Sequence, residues 1–287
     1  MAALLADFFW GCRGWRCGGT LRCCSRYLRV GLVAWRSRFW GPCLAGGEVD
    51  VVTQEPVLSV RNLSRTYSTG KGIVSAGFTV GAGEVVALVG PNGAGKTTLL
   101  EALCGTADYV GSVRIAGFDR EHEAHQRQNR VCLPERRNLP LFLSGVAAAR
   151  LAEGFWDQPG LFSRFVTEAH FWGLEGGDLE QPALALSQGM REKLMLALVF
   201  SSTAALMILD EPEAHLDPIV RHRLEQRLVA RRDQGGALLL ATHDAYMAAR
   251  LADRILIVRA GRLHNLGAVP GVEAVFDALE TSTEGDA

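Results

Sequence analysis

Lysine is scarce: the chain carries 3 against 27 arginines, and 31 acidic residues offset the 30 basic ones. A formal net charge of −1 excludes a general electrostatic pull toward nucleic acid or an anionic membrane. No run reaches the roughly 18 consecutive apolar residues of a membrane-spanning helix, so any membrane work must be done through a partner. No two cysteines have the CxxC spacing, which argues against a zinc site, and no internal repeat or low-complexity tract is present. What is there is an ordinary globular composition, 48% hydrophobic and 21% charged over 287 residues. That length buries a substantial core without a disulfide or metal staple.

Residues 1–50 differ in kind. They hold 7 Arg, no Lys and 3 acidic residues, together with 4 of the 6 Trp and 5 of the 7 Cys. Arginine interrupts the apolar residues too often for a secretory signal, and abundant Gly, Trp and Cys with few Ser do not suit an organellar presequence. Such residues are what GC-rich DNA yields when read in frame. We therefore expect residues 1–54 to be an atypical extension with a misplaced start, the natural one lying near Val51 or Val52. Cys104 and Cys132 lie in apolar segments and read as small buried thiols in a reducing cytoplasm.

From Pro56 onward, VLSVRNL (57–63) and IVSAGFTV (73–80) predict strands of an antiparallel layer. EVVALVG (84–90) is continuously apolar, as a strand covered on both faces must be. ALMILD (205–210), ALLLAT (237–242) and RILIV (254–258) repeat that pattern, with the helical periods of REKLMLALVF (191–200) and RHRLEQRLVARR (221–232) between them. The expectation is an α/β fold with a buried, mainly parallel sheet over residues 55–270. A C-terminal helix and the acidic tail TSTEGDA (281–287) follow at 271–287.

GPNGAGKTT fits the phosphate-loop pattern at every fixed position, with Gly90, Pro91, Asn92, Gly93, Ala94, Gly95, Lys96, Thr97 and Thr98. The glycines let backbone N–H groups turn inward around phosphates, Lys96 reaches the β and γ oxygens, and Thr97 offers a hydroxyl to magnesium. A helix from Thr97 to Cys104 would point its positive end at the same anion. In LMILDEP (206–212), Asp210 closes a buried strand beside that loop, where it can hold the water shell of magnesium. Glu211, one residue on, can orient or deprotonate an attacking water.

These motifs, with LSQGMREK (186–193), LDP (216–218) and ATHD (241–244), resemble in order and spacing those of the ABC ATPases, the nucleotide-binding subunits of ABC transporters. The resemblance covers residues 56–265, and the wording ERRNLP and GMREK is most similar to the export-type (ABC-2) branch. It implies a P-loop NTPase with an antiparallel β subdomain and a helical subdomain at about 136–190. It implies ATP hydrolysis coupled to transport, with ATP and Mg2+ as cofactors. It also implies a head-to-tail dimer, of two copies or of one copy and a paralogue, and a transmembrane permease on a separate chain. Nucleic acid is not expected. The implied location is cytoplasmic, peripheral on the inner face of the plasma membrane.

By position, Tyr67 resembles the aromatic that stacks on adenine, and His243 the switch histidine that contacts the γ-phosphate. Ser187 and Gly189 resemble the signature that binds the γ-phosphate held by the opposite subunit, although Ser187 would also serve as a plain helix N-cap. Asp217 resembles an acidic residue at the dimer interface, a place where an Asp-Pro turn would equally use Asp. Two departures stand out: Glu135 lies where many relatives have Gln, and His215 where a small residue is common. Glu135 can still accept magnesium or its water. In the helical stretch, Phe142, Phe155, Trp156, Phe165, Phe171 and Trp172 read as mostly core, with a few left to form a partner groove rimmed by Arg136 and Arg137. Two alternatives remain: a soluble ABC ATPase outside transport, and a module in which ATP occupancy acts as a switch with little turnover.

Overall fold

The computed structural model describes residues 55–68, 70–135, 139–268 and 271–280. The expectations for residues 1–54, for Arg136 and Arg137, and for the tail at 281–287 lie outside them. The described chain opens with β1 (Leu58–Thr66), β2 (Gly72–Val80), β3 (Val85–Val89), α1 (Lys96–Cys104) and β4 (Val110–Ile115). It continues through α2 (Glu123–Asn129), β5 (Arg130–Leu133), α3 (Gly145–Phe155), α4 (Leu161–Phe171), α5 (Gly176–Glu180) and α6 (Gln188–Phe200). It closes with β6 (Leu206–Asp210), α7 (Pro218–Asp233), β7 (Ala237–Thr242), α8 (Ala245–Leu251), β8 (Arg254–Arg259), β9 (Arg262–Ala268) and α9 (Val272–Glu280).

Two sheets form. The first, in order β2-β1-β4, is antiparallel throughout. From Ala76 to Val80 alternate residues of β2 are buried, the mark of a sheet with one face on the core. The second has the order β5-β6-β7-β3-β8-β9 and is parallel except for the antiparallel edge strand β9. Every residue of β3, β6 and β7 is buried, so their unbroken apolar runs report cover on both faces.

Among the described residues, that cover comes from three clusters, one of which packs Ala87 and Val89 of β3 with Ala245 and Ala248 of α8 and Ile255 and Ile257 of β8. On one side Leu99, Leu100, Ala102 and Leu103 of α1 pack among residues of β1 and β2 and of the large sheet. The phosphate-loop helix is thus clamped between the sheets. On the other side α3, α4, α6 and α7 share one core with Met207 and Leu209 of β6 and with Leu238 and Leu240 of β7. Phe165 and Trp172 are fully buried there, and Trp156 and Phe171 pack partly buried against it. Phe142 and Phe155 are exposed, so the aromatic set divides between core and surface.

Candidate active site

Parallel pairing fixes where the chemistry gathers. Val89 of β3 is level with Thr242 of β7, and Ala241 of β7 with Asp210 of β6. The carboxyl ends of three adjacent strands therefore deliver Gly90, His243, Asp210 and Glu211 to one edge of the sheet. Leu133 of β5 is level with Leu209, which brings Glu135 to the same end.

The loop from Gly90 to Gly95 is shaped by steric necessity. A Cβ at Gly90 would lie 2.3 Å from the Val258 carbonyl oxygen, and one at Gly95 would lie 2.6 Å from that of Gly72. Gly95 also holds φ 112° as the N-cap of α1, a conformation L side chains rarely adopt. No side chain caps that helix, so its first N–H groups face the loop. Lys96, 6% exposed, donates to the carbonyls of Gly90 at 2.7 Å and Pro91 at 3.4 Å, and its Nζ lies 3.9 Å from Glu211 Oε1.

Glu211 leaves β6 with φ 46°, held by its N–H donating to the Ala241 carbonyl at 2.9 Å. Its Oε2 meets His243 Nδ1 at 2.9 Å. Asp210 is buried and its Oδ1 has no hydrogen-bond partner. Burial pushes its carboxyl from the ordinary 3.8 up to about 6; the Thr97 hydrogen bond opposes this, the charges of Glu135 and Glu211 reinforce it, and Lys96 opposes it. Asp210, Glu211 and Glu135 put three carboxylates at this edge, with Lys96 buried beside them and Lys71 in the same cleft. An unpartnered carboxylate oxygen beside the Thr97 hydroxyl and Glu135 is a donor set of the kind a hard divalent ion takes. Among the described residues no group of three or more His, Cys, Asp or Glu could hold a metal unaided.

Tyr67 and the phosphate loop line one cleft of about 510 Å³ together with Lys71, Gly72, Glu135 and Glu211. The Tyr67 hydroxyl donates to Glu101 Oε2 at 3.2 Å and the Arg65 guanidinium lies 5.1 Å from its ring centre. Sequence reasoning missed Lys71; being one of three lysines and lying four residues after Tyr67 was its only signal. It also missed the support beneath His243. The buried Thr242 hydroxyl donates to Glu213 Oε1 and accepts from the Asp244 N–H at 2.9 Å, which ties two loops together.

Ser187 and Gly189 are exposed and do not line the cleft. Ser187 is the N-cap of α6, its hydroxyl accepting from the Met190 N–H at 3.3 Å. Asp217 caps α7 in the same way through the N–H groups of Ile219 and Val220, both at 2.9 Å. His215 is exposed at φ 63°.

Residues 74–214 match the family model described as ABC transporter. The Nod factor export ATP-binding protein I of Ralstonia nicotianae is 34% identical over 214 residues, covering 72% of this chain and 65% of that protein. The hemin import ATP-binding protein HmuV of Pseudomonas entomophila is 35% identical over 196 residues, covering 64% of this chain and 76% of that protein. Among solved structures, an ATP-binding subunit of an ABC transporter superposes with TM-score 0.71 at 27% identity, over 78% of this chain and 99% of that one. A dimeric bacterial ABC transporter cassette shares the fold with TM-score 0.65 at 20% identity, over 72% of this chain and 96% of its own.

Proposed function

Because the chain belongs to the ABC transporter family, we propose that it is an ATP-hydrolysing subunit that energises a separate transmembrane permease. One observation carries this: a phosphate loop, a buried Asp210 with an unpartnered oxygen and the Glu211–His243 pair converge on one sheet edge. ATP is the substrate of the cleft. Tyr67 stacks on the adenine, and N–H groups of Gly93 and Gly95 and of the start of α1 surround the phosphates, with Pro91, Asn92, Ala94 and Thr98 shaping the loop. Lys96 exchanges the carbonyls of Gly90 and Pro91 for phosphate oxygens, trading neutral acceptors for charged ones.

Thr97, Asp210 and Glu135 would hold Mg2+, which neutralises charge developing on the phosphates. Glu211 takes the proton of the attacking water, and His243 fixes its carboxylate through the Nδ1 contact. The exposed Ser187 and Gly189 are free of this chain's own cleft, so they serve the cleft of a second subunit, a copy or a paralogue, in a head-to-tail dimer. The relatives' names include both an exporter and an importer. We take the direction as export from the ERRNLP and GMREK wording, and the site of action as the cytoplasmic face of the plasma membrane. Among the described residues no helix is long and apolar enough to cross a membrane, in keeping with a permease on another chain. Its docking segment would meet the groove of about 780 Å³ lined by Arg127, Phe155 and Trp156, which Thr97, Glu135 and Asp210 also line.

Glu211→Gln tests the chemistry. It should bind Mg-ATP normally while phosphate release falls by about 10²-fold or more; turnover near the unsubstituted rate would refute the role. Affinity purification of the same variant from detergent-solubilised membranes with Mg-ATP tests the partner. A polytopic membrane protein in stoichiometric yield is expected, and recovery of soluble partners alone would favour a non-transport ATPase.

A further inference from the structure

A cavity of about 260 Å³ lies between α4, α7 and the turn after α6, and none of its lining residues belongs to the nucleotide cleft. Arg164, Arg227 and Arg231 all line it, with Glu168 as the sole acidic residue among the described residues that do so. Glu168 is taken: both of its oxygens pair with Arg227, the Nε at 3.1 Å from Oε2. The described lining residues offer Arg164 and Arg231 no other carboxylate.

Neither is fully used. Arg164 donates from Nε to the Ser201 carbonyl at 2.8 Å and from Nη1 to that of Pro159 at 3.3 Å, while its Nη2 is buried without a partner. Arg231 donates from Nη2 to the Ala204 carbonyl, while its Nε is buried without a partner. Burial, and then the charge of Arg164, hold the Arg231 guanidinium below its usual value. Satisfying carbonyls at and beyond the end of α6 explains one donor from each arginine. The C-terminal ends of α6 and α7 also favour positive charge, but neither effect satisfies the idle N–H groups, and buried charged donors without partners are costly.

We propose that this cavity is a binding site for a free tetrahedral oxyanion, phosphate or sulfate, held between Arg164 of α4 and Arg231 of α7. A water molecule takes about 30 Å³ in the liquid, so the cavity admits such an ion with part of its hydration. The ion would bridge α4 to α7 against the C-terminal end of α6, the helix whose other end carries Ser187.

The test titrates inorganic phosphate, at constant ionic strength set with chloride, into Lys96→Ala protein, so that the phosphate loop is disabled as a competing site. Calorimetry should give one phosphate per chain, weakened by about tenfold or more when Arg164→Gln or Arg231→Gln is added. Deleting an arginine can loosen the seam by itself, so Thr167→Glu supplies a second arm. Thr167 is an exposed lining residue on α4, and a carboxylate there offers the arginines an internal anion. That variant should raise Tm by about 2–4 °C in chloride and abolish phosphate binding. No binding to the Lys96→Ala protein, or binding left unchanged by all three substitutions, overturns the proposal. So does a Thr167→Glu protein that melts lower and still takes phosphate.

Discussion

Asp210→Asn, with metal chelated and nucleotide withheld, should stabilise the protein. The carboxyl is 3% exposed, one of its oxygens has no partner, and desolvation is the largest influence lifting it from 3.8 to about 6. At neutral pH that lift corresponds to about 3 kcal/mol against the ionised form in the folded state. Between 3.8 and about 6 the folded chain keeps a proton that the unfolded chain has released. Stability from this group is therefore complete below the lower value and lost as pH rises through the upper one. Asparagine imitates the protonated acid, so its advantage grows over the same window and is flat above it. Its match to Thr97 is imperfect, which leaves about 1–3 kcal/mol, or a Tm rise of about 2–10 °C. Thermal unfolding with EDTA at about pH 4 and about pH 8 reads the difference directly. An advantage that is absent at the higher pH, or equal at both, would refute a strained buried carboxylate. Mg-ATP should narrow or reverse the difference, raising the Tm of the Asp210 protein more than that of the variant, which keeps the phosphate loop but loses one magnesium-holding group.

Gly90→Ala places a methyl 2.3 Å from the Val258 carbonyl oxygen. The backbone shift this forces should cost about 1–3 kcal/mol and weaken nucleotide binding, and an unchanged urea midpoint would count against the close approach. Thr242→Val deprives buried Glu213 Oε1 of its donor and the Asp244 N–H of its acceptor. The loss should be about 2–3 kcal/mol, with kcat falling more than KM rises because His243 loses its footing; a kcat left at its original value would separate that pair from catalysis. Trp172→Ala empties a fully buried site of the helical core and should cost about 3–5 kcal/mol. Chemical denaturation reads it, and a cost under about 1 kcal/mol would mean that the core collapses around the gap.

Motifs carried by consecutive residues were readable because backbone geometry alone dictates them. Gly90 and Gly95 are glycine since a Cβ would strike the backbone of β8 and β2, and no other residue type substitutes for that absence. Central strands were readable because cover on both faces leaves only apolar residues. The short strands gave no such signal. In β4 only Val113 and Ile115 are buried, and β5 is four residues attached directly to α2, so neither develops a period. What joins residues distant in sequence was illegible for a different reason. Glu213 and Thr242 look like ordinary loop polar residues until the two strands are laid side by side. Arg227 and Arg231 fall one turn apart on α7 and read as a solvated face, and only the packing of α4 brings Arg164 against them.

Register and packing bound what one chain can contain. Lys96, Asp210, Glu211 and His243 reach one edge because strand order and register force them there, and Tyr67 joins the cleft from the turn after β1. Ser187 and Gly189 sit at the exposed start of α6, a helix whose Leu194, Leu196, Ala197 and Val199 are committed to the opposite core. Moving α6 far enough to bring Ser187 to this chain's own loop would uncover those side chains, at about 1.5–3 kcal/mol for each large one. In the proposed dimer, a second subunit offering its own Ser187 leaves that packing undisturbed. On energetic grounds, the proposed site, if it uses both motifs, is one assembled between chains.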